Sequence, residues 1–208
     1  MFTRKDVLPM FPKPVIKGSM DRSFTEEEKN YILSQTMNSG AGNSNSKSRR
    51  VLDAPEMANL KKIAQDSLNF WVNEIMMIQP GLELQVTQSW TNITKPGQVH
   101  HNHYHPNSIV SGVIYINATD DKDRIILLDP TPTPYKFTVS EHNLFNSDEY
   151  HLSVKTGDIV LFPSLMFHGV PPVKASHNRI SLAFNSFWKG TLGFPNDDTN
   201  YLEINDIK

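Results

Sequence analysis

The chain has 208 residues, with 20 Lys and Arg set against 22 Asp and Glu, 8 His and no Cys, enough for one domain that buries about 70% of the surface its unfolded form exposes. Lacking cysteine, it has no disulfide, no thiolate-held zinc or iron–sulfur cluster and no thiol nucleophile, so a metal would have to be held by imidazole, carboxylate or carbonyl. The formal charge is −2 and the basic residues are dispersed apart from "KSRR" at 47–50, which is no electrostatic track for nucleic acid.

Prolines and charges break up "MFTRKDVLPMFPKPVIKG" where a signal peptide needs an apolar run, and no stretch approaches the ~20 apolar residues of a membrane span. A cytoplasmic protein with no membrane partner is expected. In "SFTEEEKNYILSQ", Thr25 and Glu28 have the spacing of a capping box and predict a helix to about Gln35. The Gly-, Ser- and Asn-rich segment 38–50 has no apolar anchor and reads as a flexible loop, or as a lid over a substrate. Asp53 and Glu56 repeat the capping-box spacing. Leu60, Ile63, Ala64, Ser67, Trp71 and Ile75 then follow helical spacing up to "QPG", a stripe suited to packing on a sheet.

After Gly81 the period becomes two. Leu82, Leu84 and Val86 alternate with polar residues, and the same parity runs on through Gln88, Trp90 and Asn92, so one strand face changes from apolar to polar, as a site at a barrel mouth requires. Asn92 is a candidate site residue on that ground and Gln88 a weaker one. Further strands are predicted at "SIVSGVIYIN", "RIILLD", "YKFTVS", "HLSVK", "DIVLFP" and "RISLAFNSFW". Short strands punctuated by Gly, Pro, Asn and Asp argue for a jelly-roll-type double sheet or barrel. The acids of "DDKD" and "DDTN" read as solvated loops.

Four of the eight histidines fall within residues 100–105. On a strand, residues two apart share a face, so His101, His103 and His105 are expected to project one way and His100 the other, and a pair two apart chelates one metal. Further on, "TGDIVLFPSLMFHGVPPV" puts His168 in a loop after an apolar strand, and Arg179 opens "RISLAFN" with Ser181 on its face. An arginine directed into a barrel needs an anion, because an uncompensated buried charge costs several kcal/mol. The strand face supplies no carboxylate, whereas the guanidinium fork and the serine hydroxyl suit a small-molecule carboxylate.

These stretches, "SWTNITKPGQVHHNHYHPNSIVSGVIYI", "GDIVLFPSLMFHGVPP" and "RISLAFN", resemble the Fe(II)- and 2-oxoglutarate-dependent dioxygenases, and within them a bacterial and phage-type subgroup related to prolyl hydroxylases. The resemblance covers roughly residues 84–187. It implies a mainly β protein with flanking helices and a double-stranded β-helix (jelly-roll, cupin-like) core at 82–188, buttressed by a helical part at 1–80 and followed by a C-terminal extension at 189–208, all in a single domain. It implies His168 as the distal iron ligand, Arg179 with Ser181 on the far carboxylate of 2-oxoglutarate, Tyr115 donating its hydroxyl to that carboxylate, and Asn92 facing the same pocket. Members carry His-x-Asp or His-x-Glu at the proximal position, whereas this chain has His103-x-His105 or, alternatively, His101-x-His103. The expected metal set is His103, His105 and His168, with His101 in reserve. The implied reaction consumes O2 and 2-oxoglutarate, releases succinate and CO2, and hydroxylates a C–H bond of a peptide or metabolite substrate. A non-catalytic cupin-like metal-binding protein and a three-His dioxygenase that does not use 2-oxoglutarate are the competing readings.

Overall fold

The computed structural model describes residues 6–40, 42–131, 138–194 and 200–205. In chain order the elements are β1 (Ile16–Ser19), α1 (Glu26–Leu33), β2 (Met37–Ser39), β3 (Ser44–Ser46), α2 (Ala58–Phe70), β4 (Leu82–Thr94), β5 (His100–His103), β6 (Val110–Asn117), β7 (Arg124–Leu128), β8 (Glu149–Ser153), β9 (Asp158–Pro163), β10 (Phe167–Val170), β11 (Arg179–Leu192) and β12 (Leu202–Ile204). The first half of the expected strand at 135–140 lies outside the described residues, and its last three residues carry no strand.

The strands form an eight-stranded sheet in the order β1-β9-β6-β11-β4-β3-β2, with β12 pairing β11, and a four-stranded sheet in the order β5-β10-β7-β8. From β4 to β11 the chain passes back and forth between the two sheets, and every pairing between named strands is antiparallel. This is the double-stranded β-helix. The larger sheet is buried on both faces. Outside it, Ile32, Leu52, Met57, Leu60 and Leu68 meet Ile114, Leu161, Leu182 and Phe184. Inside, Val113, Tyr115, Ile125, Leu127, Val160 and Phe162 fill the space toward the smaller sheet. Each such side chain, fully buried, contributes about 1.5–3 kcal/mol of transfer free energy.

The N-terminal part departs from expectation in three places. The Thr25 and Glu28 capping box forms, with each side chain accepting from the other residue's backbone N–H, but α1 stops at Leu33. No capping box forms at Asp53: two 3-10 turns, Val51–Asp53 and Pro55–Met57, precede α2, whose first turn has no side-chain cap. The segment 38–50 is not an unanchored loop in its described part, because β2 and β3 form a hairpin there and β3 pairs with β4. Ser46 inside it is fully buried and donates to the Ser48 carbonyl. Satisfied polar groups hold this segment in place of an apolar anchor.

Candidate metal and carboxylate pocket

A bulge decides which residues of β4 reach the interior. Along β11, Asn185 pairs with Gln88 but Ser186 pairs with Val86, leaving Thr87 as the extra residue. A one-residue bulge reverses face parity. Leu84 and Val86 therefore pack toward the helices, whereas Trp90 and Asn92 line a pocket inside the barrel. The run of even-numbered positions from Leu82 to Asn92 does not lie on a single face. Asn92 is buried and accepts from Asn43 Nδ2 at 3.4 Å. Gln88 is exposed and does not line this pocket.

A second bulge rearranges the histidines. His103 pairs with His168 across β5 and β10, but Val170 pairs with His100, so the register slips between them. His100 thus joins His103, His105 and His168 in the pocket lining, while His101 is exposed and outside it. This overturns the expectation that His100 points away from the others and His101 with them. His168 lies on β10 and not in a loop. His105 follows β5 in a turn held by its own N–H, which donates to the Ser164 carbonyl at 2.8 Å.

The ligand nitrogens of His103, His105 and His168 all lie within 4.8 Å of one another. Ring centroids are 4.4 Å apart for His103 and His168, 4.9 Å for His105 and His168, and 5.1 Å for His103 and His105. In each ring Nδ1 is engaged elsewhere: His103 with the His101 carbonyl at 2.8 Å, His105 with Ser111 Oγ at 2.8 Å and His168 with the Met166 carbonyl at 2.9 Å. A carbonyl only accepts, so His103 and His168 carry their proton on Nδ1 and present a bare Nε2. Burial pushes His168 and His100 down to about 3 and His105 down to about 4, and it lowers His103 as well. These rings are neutral at pH 7, with lone pairs free for a metal. The set His100, His101 and His103 also clusters, but it needs the exposed His101 and shares His103.

Arg179 and Ser181 stand on the interior face of β11, facing Thr94 and Asn92 of β4 across the pair. Arg179 is 3% exposed, yet its closest polar partner is Ser181 Oγ at a long 3.5 Å, its Nε is unpartnered, and its guanidinium carbon lies 5.0 Å from the centre of the Tyr115 ring. Among the described residues it has no carboxylate partner. The Tyr115 hydroxyl is buried without an acceptor, and burial outweighs the neighbouring Arg179 guanidinium and pushes its pKa up to about 12, so it remains a donor. A buried cation and a buried hydroxyl facing one pocket without an acceptor call for an anionic ligand. Sequence reasoning did not find the polar chain behind His105, made of Ser108, Ser111, Ser164 and Asn185, all buried. Its one visible signal is Ser111, a hydroxyl inside the otherwise apolar "VSGVIYI".

Residues 88–185 match the family model described as "Putative 2OG-Fe(II) oxygenase". Over that stretch, a little under half of its length, the chain resembles the 2OG-Fe(II) oxygenases. Solved oxygenases share its fold at low identity. HygX from Streptomyces hygroscopicus, bound to nickel, 2-oxoglutarate and hygromycin B, is 11% identical over 84% of this chain and 82% of its own, with a TM-score of 0.56. A prolyl-4-hydroxylase from Pseudomonas putida is 16% identical over 83% and 92%, with a TM-score of 0.52. An oxidoreductase of the family from Burkholderia pseudomallei is 13% identical over 76% and 74%, with a TM-score of 0.53. No curated protein matches by sequence. Fe(II) and 2-oxoglutarate are the groups that family's description names, and the donors of this pocket fit both: imidazole suits Fe(II), and Arg179 suits a carboxylate. No helix among the described residues is long and apolar enough to cross a membrane.

Proposed function

We propose that this oxygenase hydroxylates a C–H bond of a small-molecule or peptide substrate from the pocket between its two sheets, with His103, His105 and His168 holding Fe(II) through Nε2 and Arg179, Ser181 and Tyr115 holding the far carboxylate of 2-oxoglutarate. The observation that carries this reading is the meeting, in one pocket, of neutral imidazoles whose Nδ1 atoms are engaged with a buried arginine and a buried tyrosine hydroxyl that have no acceptor.

When bound, iron supplies the dioxygen chemistry that couples oxidative decarboxylation of 2-oxoglutarate to succinate and CO2 with insertion of one oxygen atom into the substrate C–H bond. The rest falls to the chain. Arg179 fixes the cosubstrate by charge and by its fork geometry. Tyr115, protonated throughout the working range, donates a hydrogen bond without adding charge. Asn92, turned inward by the Thr87 bulge, offers an amide to the same pocket. Among the described residues no carboxylate lines the pocket, so the two charges of a bound Fe(II) would add to that of Arg179, and a dianionic cosubstrate would offset most of this charge. A non-catalytic cupin-like protein would leave Arg179 and Tyr115 with nothing to bind. A cytoplasmic setting belongs to the same reading, since a reducing compartment keeps iron ferrous.

The test is anaerobic Fe(II) titration followed by 2-oxoglutarate, watched through the weak visible metal-to-ligand charge-transfer band, on wild type and on His103→Ala, His105→Ala and His168→Ala. A band in wild type that the three variants lose supports the assignment. Iron binding with no band on adding 2-oxoglutarate would reassign the Arg179 pocket to a different ligand.

A further inference from the structure

The family's proximal acid is replaced here by His105, and a neutral imidazole makes a dependable ligand only if its bare nitrogen faces the metal. Behind His105 lies a connected set of hydroxyl and amide groups drawn from three separate parts of the chain: Ser108 and Ser111 around the start of β6, Ser164 after β9, and Asn185 with the Ser186 N–H on β11. Ser111 and Ser164 are fully buried. His105 Nδ1 is 2.8 Å from Ser111 Oγ, Ser111 Oγ is 2.8 Å from both Asn185 Oδ1 and Ser164 Oγ, Ser164 Oγ is 2.7 Å from Ser108 Oγ, and the Ser186 N–H reaches Ser108 Oγ at 3.2 Å.

Counting protons gives this chain one direction. Asn185 Oδ1 can only accept, so the single hydroxyl proton of Ser111 goes to it. Ser111 Oγ must then accept from both of its other neighbours, which commits the Ser164 proton to Ser111 and requires His105 Nδ1 to carry a hydrogen. With the Ser164 proton committed, the Ser108 hydroxyl donates to Ser164 at 2.7 Å in preference to the Ser186 carbonyl at 3.1 Å, and Ser108 Oγ accepts from the Ser186 N–H. Every hydroxyl donates once along one path, from Ser186 N–H to Ser108, Ser164, Ser111 and the Asn185 carbonyl. The three metal histidines are thereby treated differently: backbone carbonyls fix the tautomers of His103 and His168, whereas a side-chain relay fixes that of His105.

We infer that Ser111 and Asn185, backed by Ser164 and Ser108, are positioning residues that hold His105 as the Nδ1–H tautomer with Nε2 bare, and so make it a competent neutral ligand where the family has an acid. This rests on the assignment of His105 to the metal. Partners of this kind beyond a metal ligand typically carry 10–100-fold in metal affinity.

The test uses Co(II) as the probe on the full-length chain, with long-range 15N–1H spectra of the imidazoles in the metal-free protein assigned by loss of signal in His105→Ala. In wild type, His105 is expected to be protonated at Nδ1. In Ser111→Ala and in Asn185→Leu it should become a mixture of tautomers, with Co(II) affinity down about 10–100-fold while a cooperative melt shows that the fold persists. Asn185→Asp retains the acceptor and its direction, and should bind Co(II) at least as tightly as wild type. A merely structural role predicts the opposite ranking, since leucine would pack where a buried carboxylate would not. Protonation of wild-type His105 at Nε2, wild-type Co(II) affinity in both Ser111→Ala and Asn185→Leu, or Asn185→Asp weaker than Asn185→Leu would each overturn the inference. If His105→Ala itself binds Co(II) as tightly as wild type, the metal assignment falls and takes this role with it, a pattern distinct from the other three.

Discussion

The two faces of β11 are made of alternate residues of one strand and perform opposite duties. Ile180, Leu182 and Phe184 point to the helices and pack in the outer core. Arg179, Ser181 and Asn185 point into the barrel, equally buried, with a cation, a hydroxyl and an amide where apolar groups would be cheaper. The outer face is complete in itself, since Phe184 is fully buried and its ring lies so close to Gly112 that a Cβ there would sit 2.1 Å from it. The inner face is complete only where relays satisfy it, as at Asn185, and remains open at Arg179, beside the unpartnered Tyr115 hydroxyl of β6. Stability is therefore concentrated on one side of the strand and ligand dependence on the other.

Substitutions on the two faces should separate these duties. Phe184→Ala is expected to destabilise the protein by about 3–5 kcal/mol, read by urea denaturation, while each molecule still folded keeps its metal and 2-oxoglutarate affinities; loss of both affinities in the folded fraction would show that the faces are coupled. His168→Ala is expected to weaken Fe(II) binding by more than ~100-fold, beyond the range of supporting residues, with little change in the melt of the metal-free protein. Arg179→Met should abolish the stabilisation that 2-oxoglutarate gives the metal-loaded protein, about 2.7 kcal/mol at 100 times the dissociation constant, and should leave metal binding intact; differential scanning calorimetry with and without cosubstrate decides it.

The two sides should also respond to pH in different windows. His100, His105 and His168 have folded values depressed below their ordinary 6.5, so the unfolded chain takes up protons first and the metal-free protein should lose stability as pH falls below about 6.5, until the folded values near 3 to 4 are reached. On the helical side, burial pushes Glu28 up, but its bonds from Arg22 and from the Thr25 N–H outweigh this and leave it below its ordinary 4.5. That contribution is present above 4.5 and is lost as pH falls further. Glu28→Gln should thus flatten only the lower limb of a melting-temperature profile, and Fe(II) should steepen only the upper one.

Much of this division could be read from the residues alone. Strands β6, β7, β8, β9 and β11 and the α1 cap were legible because each depends on spacing within one segment, whereas the grouping of His103, His105, His168, Arg179, Ser181 and Tyr115 was what the family resemblance implied, and β10 was expected to be a loop. What could not be read has a common cause. The Thr87 bulge moves Gln88, Trp90 and Asn92 to the opposite face from Leu84 and Val86, and the slip between His103 and His100 brings His100 inward and leaves His101 outside. A period-two reading assumes an unbroken ladder, and one extra residue reverses every assignment beyond it. The β2–β3 hairpin and the relay behind His105 were missed for another reason: they are held by polar contacts between distant segments, such as Asn43 with Asn92 and Ser111 with Asn185, and these leave no periodic trace.

The hairpin in 38–50 has one more effect. Its β3 strand pairs with β4 at Asn92 and Ile93, and Ser46 Oγ and the Arg49 carbonyl accept from the N–H groups of Thr91 and Ser89, so the far half of the free edge of that 13-residue strand is occupied. At the opposite edge β1 has four residues, and Lys17 within it is bound to the Ser153 carbonyl and to Asp158. A long open strand is a template on which a second chain can add its own backbone, and a stub a few residues long is a poor one. The polar segment that looks most like slack in the sequence thus occupies part of an edge on which a second chain could otherwise add.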